Sequence, residues 1–159
     1  MAHEYRATVR WKREADVKFT DQRYSRANSW SFDGGIEVPA SSSPQSVRLP
    51  YSVAEAVDPE EALVAALSSC HMLTFLYVAA KQGFVIDGYI DEAVGEMTKN
   101  DAGRMWVSKI TLKPAITFSG DKQPTSAQLD ELHHLAHEEC YIANSVKSEV
   151  VVQGSMAFA

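Results

Sequence analysis

Cysteine is scarce in this chain: its 159 residues include two, Cys70 and Cys140. Two thiols seventy positions apart exclude a small disulfide-stapled scaffold and are too few for a four-cysteine zinc site. Basic charge is short as well. Fifteen lysines and arginines stand against twenty-one acids, a formal net charge of −6, and the basic residues are spread along the chain. That balance argues against nucleic acid as a partner and favours small molecules or proteins. No signal-like segment is present, so the expected compartment is the cytoplasm, where both thiols are kept reduced. Internal repeats and linkers are also missing, and the length suits one domain over residues 1–159.

Charge is absent altogether from Ala62 to Ala80, the interior of a stretch with clear helix signals at both ends. Asp58 can cap the first turn, Pro59 suits the first helical position, and Glu61 stands where the reciprocal arm of a capping box belongs. Lys81 and Gly83 are the matching stop signals, giving a helix of about 24 residues and roughly 36 Å. Leu63, Leu67, Cys70, Leu73, Phe75 and Val78 cover every side of it. Such a helix is expected to be buried all round. Its length would suit a membrane, but Ser68, Ser69, His71 and Thr74 dilute the centre and no basic flank accompanies it. The expectation is a central helix wrapped by sheet, with a second subunit covering what the sheet leaves.

The flanking segments read as strands. Tyr5, Ala7, Val9 and Trp11 alternate with Arg6, Thr8, Arg10 and Lys12, which predicts one packed face and one wet face. A weaker strand is expected around Val17 to Phe19, ahead of a polar segment holding Arg23 and Arg26. Ser29 to Phe32 and Ile36 to Val38 flank Asp33-Gly34-Gly35, a hairpin turn. Val85 to Thr98 and Met105 to Phe118 read as one long hairpin around Asn100 to Gly103, with Gly88 and Gly95 as candidate bulges. Thr125 opens a second amphipathic helix, carrying Leu129, Leu132, Leu135 and Ala136, that ends near Cys140. A last strand is expected from Glu149 to Phe158. This order predicts an α+β fold with mostly antiparallel sheet.

Cys70 lies mid-helix, where no helix terminus lowers its pKa; alone, it reads as a small buried hydrophobe. A reactive Cys70 needs a cation from elsewhere, and Arg23, Arg26 and His71 are the candidates. Cys140, beside Glu138 and Glu139, is expected to have a raised pKa. Glu60 suits the helix dipole as a first-turn acid, and its ten-residue offset from Cys70 places the two about 15 Å apart along one helix. His133 and His137 are one turn apart with Cys140 three positions on, which allows a metal site with Cys70 as a fourth ligand or, as the expected reading, a partly solvated helix face.

Asp58-Pro59-Glu60-Glu61-Ala62-Leu63, running through Ala65-Ala66 to Ser68-Ser69-Cys70, resembles the NPEELxxAxxAxC segment of the OsmC/Ohr superfamily, the osmotically inducible and organic hydroperoxide resistance proteins. Glu139-Cys140-Tyr141-Ile142-Ala143-Asn144-Ser145 is similar to the family's CPxS segment, with Tyr141 in place of the usual Pro and Ala143 in place of Ser. The tail is closer to the OsmC side. The resemblance implies an intertwined homodimer of OsmC-like fold around paired central helices, and a cysteine-based peroxidase that reduces organic hydroperoxides to alcohols without a cofactor or metal. It also implies that Cys70 is the peroxidatic cysteine and Cys140 the resolving one, joined as a disulfide that an external dithiol of lipoyl type reduces. Glu60 falls on the glutamate that orients a catalytic arginine, for which Arg26 fits better than Arg23. The alternative is a ligand- or metal-binding protein that keeps the fold without efficient turnover.

Overall fold

A computed structural model describes residues 2–159. Contacts within the chain gather into two units, residues 1–62 and 63–159. The first holds a three-stranded antiparallel sheet of β1 (Ala7–Arg10), β2 (Asn28–Phe32) and β3 (Glu37–Ala40). The predicted hairpin is there: Phe32 N–H donates to Ile36 O, and Gly35 closes the turn at φ 83°, a backbone angle that glycine adopts without steric cost. Two expectations fail in this unit. Val17 to Phe19 lies between two turns and forms no strand, because the backbone bonds locally, Val17 N–H to Glu14 O and Gln22 N–H to Phe19 O. Both faces of β1 are exposed, Val9 among them, so the alternation there does not mark a packed face within one chain.

Helix α1 spans Pro59–Lys81, 23 residues and about 35 Å. Its capping box forms as expected: Glu61 N–H donates to Asp58 Oδ1 at 2.8 Å, and Asp58 N–H donates to Glu61 Oε2 at 3.2 Å. At the other end Gly83 takes φ 79°. Phe84 N–H reaches back to Ala79 O and Gly83 N–H to Ala80 O, the paired bonds of a Schellman stop. Helix α2 (Ser126–Glu139) starts on a second capping box, between Thr125 and Gln128.

The second unit holds two three-stranded sheets, β4-β7-β9 and β5-β6-β8. The strands are β4 (Val85–Asp91), β5 (Val94–Lys99), β6 (Met105–Leu112), β7 (Pro114–Ser119), β8 (Glu149–Val152) and β9 (Ser155–Phe158). Each of the three long strands expected from the sequence is therefore two, and each passes from one sheet to the other at a short break. Pro114, which has no N–H to give a ladder, begins β7. The Asp91 carboxylate fastens two breaks together, accepting from Lys113 N–H at 2.6 Å and from Ser68 Oγ at 2.5 Å. At the third break, a Cβ on Gly154 would stand 2.3 Å from His133 Nε2, so only glycine fits. The pairings β4–β7 and β5–β6 are antiparallel, whereas β6–β8 and β7–β9 are parallel.

Bulges occur between Ile86 and Gly88 and between Glu96 and Met97. Gly88 thus borders one, while Gly95 answers a different need, since a Cβ there would come within 2.6 Å of Val64. The core has two parts. Phe75, Ile116, Phe118, Leu132 and Ala136 form one; Leu67, Ile110, Leu112 and Cys140 form the other. Helix α1 buries Leu67, His71, Phe75 and Ala79 on one side. Its length and composition would suit a membrane span, yet this face is taken up by the sheets and α2. The opposite stripe is bare in the single chain, with Leu73 61% and Tyr77 63% exposed, so the helix is covered on one side and not all round.

Candidate active site

Cys70 and Cys140 meet. Leu67 and Cys70, one turn apart on α1, face the cluster formed by Ile110 and Leu112 of β6, and Cys140 at the end of α2 enters the same cluster. Both thiols are free, Cys140 fully buried and Cys70 partly exposed. The two are close enough for Cys70 to act on the ionisation of Cys140, whose pKa is pushed up to about 11. Burial is the main cause; the Ala143 N–H lowers the value, Cys70 raises it, and the Ile142 N–H lowers it. The acids Glu138 and Glu139, expected from the sequence to be responsible, are not among the causes, because both side chains are exposed and screened by water.

The backbone around Cys140 is shaped by the turn at the end of α2. Cys140 N–H donates to His137 O, and the chain passes through a 3-10 segment, Ala143–Ser145. Ala143 N–H points at Cys140 Sγ, 3.4 Å away.

Arg26 belongs to the first unit. Its guanidinium lies over the Tyr24 ring, 3.9 Å from the centroid, and Nη1 donates to Gln22 O and Tyr24 O. Tyr24 in turn stacks on Phe19 at 4.7 Å and meets Trp11 edge-on at 5.3 Å. Arg26 N–H donates to Tyr51 O at 2.8 Å, so backbone and side chain are both fixed. Among the described residues Arg23 is held through its backbone, where its N–H donates to the Asp21 carboxylate at 3.1 Å. Glu60 is half-buried in the first turn of α1.

The histidines of α2 form a partly solvated face, with His134 exposed and His137 half-buried, and His133 is the exception. His133 is buried rather than solvated, and its Nδ1 lies 3.1 Å from Nε2 of His71. Burial lowers both to about 4, so both rings are neutral at physiological pH. His71 therefore supplies no cation to Cys70. Among the described residues no group of three or more His, Cys, Asp or Glu side chains is disposed to hold a metal.

Sequence reasoning missed the His71–His133 pair, the Tyr24 platform under Arg26, and Asn144, which stands four residues beyond Cys140. Only the last two had a local signal: an aromatic two positions from an arginine, and an asparagine just past a helix end.

Two α-helices, mixed sheets and a neighbouring pair of free thiols, one buried and one partly exposed, define an α+β dithiol protein. The family model described as OsmC-like protein matches residues 52–154, and the chain belongs to that family, on the OsmC-like side of the OsmC/Ohr superfamily. An OsmC-like protein of unknown function from Vibrio cholerae is 53% identical, with TM-score 0.94, covering 97% of this chain and 100% of that one. The fold also resembles an organic hydroperoxide resistance protein from Elizabethkingia anophelis, at 14% identity and TM-score 0.64 with 100% of each chain covered. It likewise resembles the organic hydroperoxide resistance protein OhrB of Bacillus subtilis, at 19% identity and TM-score 0.60 with 98% of each chain covered. No curated protein matches the chain.

Proposed function

We propose that this protein is a thiol-dependent peroxidase that reduces organic hydroperoxides to alcohols in the cytoplasm, as a single OsmC-like domain in a homodimer. The observation that carries the reading is the packing of Cys70 against Cys140 across seventy residues of sequence. The Cys70 thiolate attacks the terminal oxygen of ROOH, the O–O bond breaks, and the alcohol leaves with a proton. Cys140 then attacks the sulfenic sulfur, water leaves, and an external dithiol, of lipoyl type by family resemblance, reduces the resulting disulfide. Cys70 is the better first nucleophile because it is the more exposed of the two, while burial holds Cys140 protonated.

Arg26 is the proposed cation at Cys70. Stacking on Tyr24 and two carbonyl acceptors pre-orient its planar fork, leaving Nη2 and Nε for a thiolate or a carboxylate. Glu60 is the proposed carboxylate. It precedes Cys70 by ten positions on α1, about 15 Å of helix rise, so a Glu60 that works with Cys70 comes from the other subunit. The bare stripe of α1 with Leu73 and Tyr77 is the surface proposed to meet that subunit. Names of the Elizabethkingia and Bacillus relatives support the substrate class.

Stopped-flow consumption of cumene hydroperoxide with dihydrolipoamide tests the reading. Wild type is expected to turn over, Cys70→Ser to be inactive, and Arg26→Ala to lose about 100-fold in the first step. Turnover that survives Cys70→Ser would sink the proposal.

A further inference from the structure

A helix ends with four carbonyls that have no partner inside it. At the end of α2 one side chain takes two carbonyls of that terminus. Asn144 Nδ2 donates to Glu138 O at 2.8 Å and to Cys140 O at 3.0 Å. Because both partners can only accept, the amide has one sensible orientation, nitrogen toward the helix. Asn144 backbone N–H also donates to Cys140 O, at 3.0 Å. The turn from 140 to 144 is thus closed twice by the same residue.

The closed turn has a chemical consequence at its other side. Ala143 N–H is held 3.4 Å from Cys140 Sγ, and Ile142 N–H also acts on that sulfur. Tyr141 stands where the related segment commonly has proline, whose ring would fix φ and stiffen the turn. Here no ring does so, and the stiffening comes from the Asn144 amide. Its side chain is at the surface, so removing it opens no cavity in the core.

We infer that Asn144 is a positioning residue for Cys140: by clamping the 140–144 turn onto the end of α2, it aims the Ala143 and Ile142 amides at the sulfur and the sulfur at Cys70. This rests on the peroxidase reading for its biological meaning and adds what sets the rate of the second step. In that step the Cys140 sulfur attacks the Cys70 sulfenic sulfur. An S–S bond forms, the S–O bond breaks, and the departing hydroxide takes the Cys140 proton to leave as water. Negative charge gathers on Cys140 Sγ as its proton departs, and the two fixed N–H dipoles stabilise that charge.

The test compares wild type with Asn144→Ala and with Asn144→Asp, which keeps the size but cannot donate. One equivalent of cumene hydroperoxide is added, and the appearance and decay of dimedone-reactive Cys70 are followed. In a separate arm diamide closes the dithiol with no peroxide present. Both variants are expected to form the sulfenic acid within about twofold of the wild-type rate and to close the disulfide about tenfold or more slowly under either oxidant. Excess peroxide is then expected to carry Cys70 on to sulfinic acid in the variants but not in wild type. Equal closure rates with diamide would overturn the inference. So would variants unfolded at the assay temperature by circular dichroism, since Asn144 would then be a stability cap alone. A wild type that consumes no peroxide, with diamide closure still slowed in the variants, would remove the peroxidase reading and leave the positioning role standing.

Discussion

His71 and His133, sixty-two residues apart, share a 3.1 Å hydrogen bond in the core between α1 and α2. The rings lie nearly parallel, 15° apart with centroids separated by 5.4 Å. One ring donates and the other accepts, while His71 Nδ1, His133 Nε2 and His137 Nδ1 have no partner among the described residues. Around the pair stand His137 of α2, Asp91 of β4, Phe75 of α1 and Gly154 at the β8–β9 break. Asp91 is the one acid whose charge favours the protonated form of His71, and burial outweighs it.

Acid sensitivity is the consequence of that arrangement. Both histidines titrate near 4 in the folded protein and near 6.5 when unfolded. The unfolded chain therefore binds more protons between those values, and stability that is complete above pH 6.5 is lost as pH falls toward 4. The loss is at most on the order of 3 kcal/mol for either ring alone. Urea unfolding across this range is expected to show the decline in wild type and a flatter profile in the double variant His71→Leu/His133→Phe. Equal slopes would assign the acid sensitivity to other groups.

Gly154 and Gly88 should respond oppositely to a methyl group. At Gly154 the new Cβ would press on the His133 ring, whereas at Gly88 the nearest atom is the Thr117 hydroxyl at an ordinary 3.6 Å. Gly154→Ala is expected to cost about 1–3 kcal/mol by overpacking, and Gly88→Ala to stay within about 0.5 kcal/mol of wild type. Denaturant midpoints at constant m-value check both.

The α1 cap offers a third test. Asp58→Ala removes the acceptor for Glu61 N–H and is expected to cost about 1 kcal/mol. Asp58→Asn, which still accepts there, should restore most of it in the same urea titration.

What the sequence disclosed and what it hid divide by distance along the chain. Both helices were legible to within a residue or two, α1 from Asp58, Pro59 and Glu61 at its start and Lys81 and Gly83 at its end, α2 from Thr125 and its apolar stripe. In the run from Met105 to Phe118, the alternate residues Ile110, Leu112, Ile116 and Phe118 are all buried, because alternation reports which way a side chain points. Alternation does not report where a strand changes partner. The breaks at Lys113 and Gly154 depend on Asp91 and His133, which lie far away in sequence. For the same reason the burial of His133 was not legible, since its partner His71 lies on another helix. The two cysteines were found through a family resemblance, while the Asn144 clamp emerged only with the turn itself.

The bare stripe of α1 gives a prediction about assembly. Leu73 and Tyr77 are one turn apart and mostly exposed, an apolar surface suited to a second copy of the same helix. Analytical ultracentrifugation is expected to show a dimer for wild type and a monomer for Leu73→Glu/Tyr77→Glu, with peroxide consumption lost alongside. A dimeric double variant would move the interface elsewhere.

The central claim is that Cys70 and Cys140 form one redox unit, and peptide mapping by mass spectrometry after one equivalent of cumene hydroperoxide addresses it directly. Loss of both thiols and an intrachain Cys70–Cys140 disulfide are expected in wild type, and a trappable sulfenic acid on Cys70 in Cys140→Ser. Two thiols still free after the peroxide has been added, or a bond between cysteines of different chains, would contradict it.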